Sequence, residues 1–178
     1  MATIKETVMQ AMRTYLKAHS ATSALTNSQV IPIDDKGTRP PLPYLVVQVG
    51  NNRRVGTDES WDTTVLTVPY KTAKTQRSLI VTVHGYGLGS EDWIEESAIG
   101  YNLPTQQKTL RDLDLTATPN GDIVDLSTSL DTAIEYHFVQ DWTVNLAWTS
   151  TPQAQVEALT FETQTTAGDL VIDNSITP

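Results

Sequence analysis

Residues 83–87 read Val-His-Gly-Tyr-Gly, after a β-rich run and before a segment with helix signals. A histidine among glycines at such a turn can present backbone N–H groups to a developing oxyanion. Acyl transfer would also need a serine on a Gly-x-Ser-x-Gly elbow, and no such elbow follows. Ser97, Ser127, Ser129, Ser150 and Ser175 all lack flanking glycines. The simpler reading makes His84, Gly85 and Gly87 a strand-to-helix turn, and no catalytic residue is assigned.

The loop is similar to the oxyanion loop of α/β-hydrolases, but 178 residues is short for that family's full sheet. The three histidines, His19, His84 and His137, are far apart in sequence, with no pair at metal-ligand spacing. His137 falls on the polar side of its segment, where exposure to solvent is expected. Acids cluster at Asp34-Asp35, at 91–96 and at 112–114, and solvated faces explain them better than a glycosidase pair. No Gly-Lys-Ser/Thr follows the glycines, so they do not form a phosphate loop. No metal and no cofactor is expected.

Composition narrows the class further. The chain has no cysteine, which removes disulfides, thiolate ligands and thiol nucleophiles. The net charge is -9, so nothing draws the whole chain toward DNA or an anionic membrane. Arg53-Arg54 is a local exception. The first residues lack the apolar core of a signal peptide, and no run approaches the roughly 18 apolar residues of a membrane span. A soluble protein made in the cytoplasm, with no membrane partner, is expected.

The elements that must position these residues begin with a helix. Thr3 and Glu6 have capping-box spacing, and Ile4, Val8, Ala11, Met12 and Tyr15 form one apolar stripe. A short turn is expected at 23–27. Pro32, Pro40, Pro41 and Pro43 make 30–43 an extended link. A buried strand follows at 44–49, an exposed polar loop at 51–60 and a further strand at 61–70. Residues 79–84 are a strand with Leu79, Val81 and Val83 facing one way. Ser90 reads as the N-cap of the next helix, with Trp93, Ile94, Ser97, Ala98 and Tyr101 on its inner face. Pro104 starts another helix through Arg111.

Asn120-Gly121 marks a turn before a short strand at 123–126. From Ile134 to Trp148 seven of the eight even positions are apolar, a period-two pattern. At ~3.3 Å per residue this run would span roughly 45–50 Å, so a break is expected near Gln140-Asp141. A last strand is expected at 157–162, and 163–178 reads as a polar, mobile tail. Few clustered helices and sequential strands predict an α+β fold, a mainly antiparallel sheet with helices on one face. One domain over 1–162 is expected, followed by the tail. Trp142 and Trp148 share the apolar parity and belong either to the core or to a subunit interface.

Two stretches carry a resemblance. Arg39-Pro40-Pro41-Leu42-Pro43-Tyr44-Leu45-Val46-Val47-Gln48 resembles the proline-rich link and Pro-Tyr strand of bacteriophage tail-terminator and neck-terminator proteins. Arg77-Ser78-Leu79-Ile80-Val81-Thr82-Val83-His84-Gly85-Tyr86-Gly87 resembles that family's strand ending in an aromatic-Gly pair before a helix. Element order agrees over about residues 3–162, with 51–75 unmatched. The resemblance implies a virion structural protein: a ring, usually a hexamer, that caps the tail tube and meets the head-side connector. It implies no catalytic residue. DNA would pass an acidic lumen without binding. Contacts to neighbours are expected in 51–60, through Arg53, Arg54, Asp58 and Glu59, in the tail, and at Trp142 and Trp148. The alternatives are another neck adaptor or stopper, and a small hydrolase-like enzyme built on His84.

Overall fold

A computed structural model describes residues 3–20, 25–65, 68–130, 133–149, 153–154, 164–166 and 169–171. Side chains are described over 3–20, 25–56, 74–129 and 134–148. Two compact units divide the chain: Met1–Glu59 with Lys74–Thr149, and Ser60–Ala73 with Ser150–Pro178.

In the first unit, α1 (Ile4–His19) forms where its local signals put it. The Thr3 hydroxyl accepts from the Glu6 backbone N–H at 3.2 Å, and the Glu6 carboxylate accepts from the Thr3 N–H at 2.7 Å. This reciprocal cap satisfies two otherwise unpaired donors and holds the Glu6 carboxyl below its usual range. Val8, Ala11, Met12, Tyr15 and Leu16 are buried along one stripe. α2 (Ser90–Gly100) and α3 (Pro104–Arg111) complete the helical layer. Pro104 stands in the first turn of α3, as its missing N–H allows. Ser90 is the first residue of α2 and does not cap it. Gly89, with φ of 87°, is the N-cap, and the Ser90 hydroxyl donates to the Gly87 carbonyl at 2.8 Å.

The main sheet has the order β1-β2-β3-β7-β4. These strands are β1 (Val30–Pro32), β2 (Tyr44–Val65), β3 (Val68–Tyr86), β4 (Leu115–Asp125) and β7 (His137–Thr149). β5 (Thr128–Leu130) and β6 (Ala133–Glu135) form a small separate pair. β1 runs parallel to β2, while β3 with β7 and β7 with β4 are antiparallel. Neighbouring strands β2 and β3 are separated by only two residues, which a parallel crossover could not bridge, so they form a long antiparallel hairpin. The α+β class, with a mainly antiparallel sheet, is therefore the observed one.

Several boundaries differ from the sequence expectation. Residues 51–60 are not a loop: β2 runs through them to Val65. Polar composition suggested a loop because Asn51–Gly56 meet no core, and all six are exposed. Pairing within the hairpin nevertheless satisfies a backbone without any buried side chain. The Asn120-Gly121 signal is a bulge inside β4: Gly121 has φ of 65°, and the register with β7 shifts between Asn120 and Val124. The long alternating run divides at Tyr136 and not at Gln140-Asp141, because β7 pairs with β3 without interruption from Tyr86↔His137 to Lys74↔Thr149. Its parity holds: Phe138, Gln140, Trp142, Val144 and Leu146 are buried. Leu115–Ala117 is strand as well, with Leu115 and Ala117 in the core.

Trp142 is the largest buried side chain. Its ring lies edge-on to Tyr15 at 5.8 Å and to Tyr101 at 6.3 Å. The Tyr15 hydroxyl donates to the Ser97 carbonyl at 2.8 Å, tying α1 to α2, and burial raises its pKa. Gly85 lets α2 approach the sheet. A Cβ there would stand 2.8 Å from the Ser90 hydroxyl and 3.0 Å from the Ile94 methyl.

In the second unit, β8 (Gln153–Ala154) pairs antiparallel with β3 at Tyr70↔Ala154 and Lys71↔Gln153. β9 (Gln164–Thr166) and β10 (Asp169–Val171) form an antiparallel pair within the stretch read as a tail. The strand expected at 157–162 lies outside the described residues.

Candidate functional site

Helices cover one face of the sheet. The other face is built by strand alternation from Tyr44, Val46 and Gln48 on β2, Ile80, Thr82, His84 and Tyr86 on β3, and His137, Val139, Asp141 and Thr143 on β7. Its side chains bond to each other across strands. Thr82 donates to Asp141 at 2.6 Å, and the Asn120 amide donates to the Thr143 hydroxyl at 2.6 Å.

At one end of this face an aromatic column forms. Tyr44 stacks on Tyr86 at 5.2 Å, and Tyr86 lies nearly parallel to His137 at 4.6 Å. His84 Nδ1 is 3.2 Å from His137 Nε2, and His84 Nε2 is 3.2 Å from Gln48 Oε1. With Gln48 Oε1 turned to the ring, the His84 tautomer that fits carries its proton on Nε2, leaving Nδ1 to accept from the His137 Nε2–H. Burial, then the His137 ring, lowers the His84 pKa, and Asp141 works against this. Burial, then Tyr44, raises that of Tyr86.

No sequence signal brings His84 and His137 together, since they stand 53 positions apart. β3–β7 register brings them together, and His137 is half-buried under Tyr86 where exposure was expected. Among the described residues no group of three or more His, Asp or Glu side chains could hold a metal ion. His19 stands elsewhere, 3.0 Å from the Thr109 hydroxyl and with its pKa lowered by burial.

The oxyanion reading of residues 84–87 loses its donors. The Gly87 N–H is bonded to the Tyr136 carbonyl at 3.1 Å, and Gly85 lies in the β3–β7 ladder opposite Phe138. The His84 ring bonds to His137 and Gln48 and not to a serine, the nucleophile that the oxyanion reading requires. A shallow depression lined by Tyr101, Gln107, Leu110, Arg111 and Leu115–Ala117 contains no carboxylate and no histidine.

Of the expected interface residues, Arg53 and Arg54 are exposed on β2. Asp58 and Glu59 continue that strand, with side chains outside the described set. Trp142 is fully buried and Trp148 is packed partly against the core. No helix among the described residues is long and apolar enough to cross a membrane.

Helices seal one sheet face, so among the described residues the polar face and the long hairpin are left as surfaces for contact, which suits a structural role. The family comparison agrees: residues 6–169 match the family described as phage neck terminator protein, and the chain belongs to it. The match includes 51–75, the stretch that the two sequence motifs left uncovered. No curated protein matches the chain. Membership makes this a structural protein of the phage neck, implies a place in the virion among other head and tail proteins, and favours a non-enzymatic role.

Proposed function

We propose that the protein closes into a ring, a hexamer on the resemblance, that caps the completed tail tube and meets the head-side connector. Family membership carries this reading. The open sheet face supports it physically. Thr82, Asp141, Thr143 and Asn120 are small polar groups already bonded to one another, and the only charge among them is negative. That part of the face offers no cation to a phosphate, so DNA could pass it without sticking, while Lys74 on the same face lies further along β3 toward the hairpin. The net charge of -9 adds to that repulsion. Arg53, Arg54, Asp58 and Glu59 on the hairpin, Trp148 and the C-terminal residues from 163 are the contacts this reading assigns to neighbours.

The test mixes the purified chain with tail tubes that lack a terminator and images their ends by negative-stain microscopy. Rings seated on tube ends are expected. A chain that stays monomeric and leaves tube ends bare sinks the proposal. Binding to connector but not to tube would move the protein to the adaptor or stopper role.

A further inference from the structure

The two ends of β2 and β3 differ in chemistry. One end is an apolar rim. Of the eleven large apolar side chains exposed among the described residues, five belong to it: Leu42, Leu88, Val124, Leu126 and Ile134. Strand ends bring them together. Leu42 packs against Gly87, so that it borders Leu88. The Gly87 N–H bonds the Tyr136 carbonyl, and the Leu126 N–H bonds the His137 carbonyl at 2.8 Å. Val124 pairs with Val139, and Ile134 stands two residues before Tyr136. The Tyr44–Tyr86–His137 column forms the floor beside them. Exposed acids surround the patch: Glu91 and Asp92 just after Leu88, Asp125 beside Leu126, and Glu135 beside Ile134. Arg39 lies on the Tyr86 side.

Nine residues along β2, about 30 Å away at strand rise, the hairpin is basic. Arg53, Arg54, Lys74 and Arg77 are four of the chain's twelve Lys and Arg residues. Gly50 lies against the Ile80 carbonyl, so Arg53 and Arg77, three residues from that point on adjacent antiparallel strands, stand near each other. Arg77 is half-buried, and its Nε is buried without a hydrogen-bond partner. Asp58 and Glu59 lie further along β2.

We infer that the apolar rim of one copy receives the basic hairpin of the next copy, head to tail. The rim's apolar side chains supply contact area, and its acids meet Arg53, Lys74 and Arg77. An apolar patch ringed by acids rejects an acidic partner, and the hairpin carries a cationic surface on the chain itself. Two different patches joined in this way form a heterologous contact, which generates a closed ring when the rotation between copies closes. This inference rests on the ring reading and names its interface.

The experiment uses the full chain with tail tubes. Leu42→Asp with Leu88→Asp should lower ring occupancy of tube ends at least tenfold, with far-UV circular dichroism unchanged because both side chains are exposed. Arg53→Glu with Lys74→Glu should do the same, and adding Asp125→Arg and Glu135→Arg should restore rings. The charge swap keeps the test decisive if the leucine variant misfolds. Wild-type rings that persist in the charge-reversed variant, or a swap that restores nothing, overturn this interface and leave the ring reading standing. Free rings that persist in the leucine variant but no longer seat on tubes would assign the rim to the tube protein and also overturn it. A wild-type chain that never forms rings removes both.

Discussion

The two faces of the central sheet obey opposite rules although they alternate along the same strands. On β3, Leu79, Val81 and Val83 are fully buried under the helices, while Ile80 is 38% exposed, and Thr82 and His84 are half-exposed. On β7, Trp142 and Val144 are fully buried, whereas Asp141 is exposed and Thr143 half-buried between strands. The covered face gains stability by removing apolar area from water. Among the described residues no helix covers the open face, and its groups bond sideways, Thr82 to Asp141 and His137 to His84. Stability therefore resides on one face, and the other is left free for contact.

Breaking the covered face should have the largest effect. Trp142→Ala removes the largest buried side chain and should cost about 3–5 kcal/mol, a large share of a typical domain's roughly 5–15 kcal/mol. Thr143→Ala, one residue away on the open face, should cost only about 0.5 kcal/mol or a little more, given its bond from Asn120. Urea unfolding of the two variants measures this ratio, and similar costs would end the two-face description. Gly85→Ala should come next, at about 1–3 kcal/mol, because the added methyl meets Ser90 and Ile94 where α2 rests on the sheet. Thermal melts would show the loss, and an unchanged melting point would mean that α2 can move away freely.

The smallest effect sharpens the open face. The folded pKa of His84 lies below its ordinary 6.5, so its stabilising share is whole above pH 6.5. That share is lost as pH falls below 6.5 toward the folded pKa, because the unfolded chain then binds the proton more readily. The urea midpoint should drop between pH 7.5 and 5.5, and less so in His84→Gln. His19, whose pKa burial also lowers, contributes a slope of the same sign that His84→Gln leaves intact. An identical slope in both chains would remove His84 from the account.

Much of the covered face was legible beforehand. The Val8–Tyr15 stripe, the odd positions of β3 and the even positions of β7 are periodic, and a period fixes which side chains share a face whatever the partner. The open face was far less legible. Nothing in a sequence gives the register between residues 84 and 137, so the histidine pair and its Tyr86 cover were missed. Gln140 shows the limit of parity in another way: it follows the pattern into the core although its amide is polar, and only its Nε2 finds a partner, the Gly121 carbonyl at 3.4 Å.

By itself the sequence determined the α+β class, the capped first helix, the proline-started third helix and the two motifs that mark a neck terminator. Each depends on neighbours a few residues apart: a reciprocal cap, a missing N–H, an alternating strand. Tertiary structure alone decided that 51–60 extends the hairpin, that Gly121 bulges β4 and leaves it unbroken, and that strand ends gather Leu42, Leu88 and Leu126 into one rim. Those outcomes depend on pairing between distant segments, as far apart in sequence as Lys74 and Thr149, and pairing register is carried by the fold as a whole.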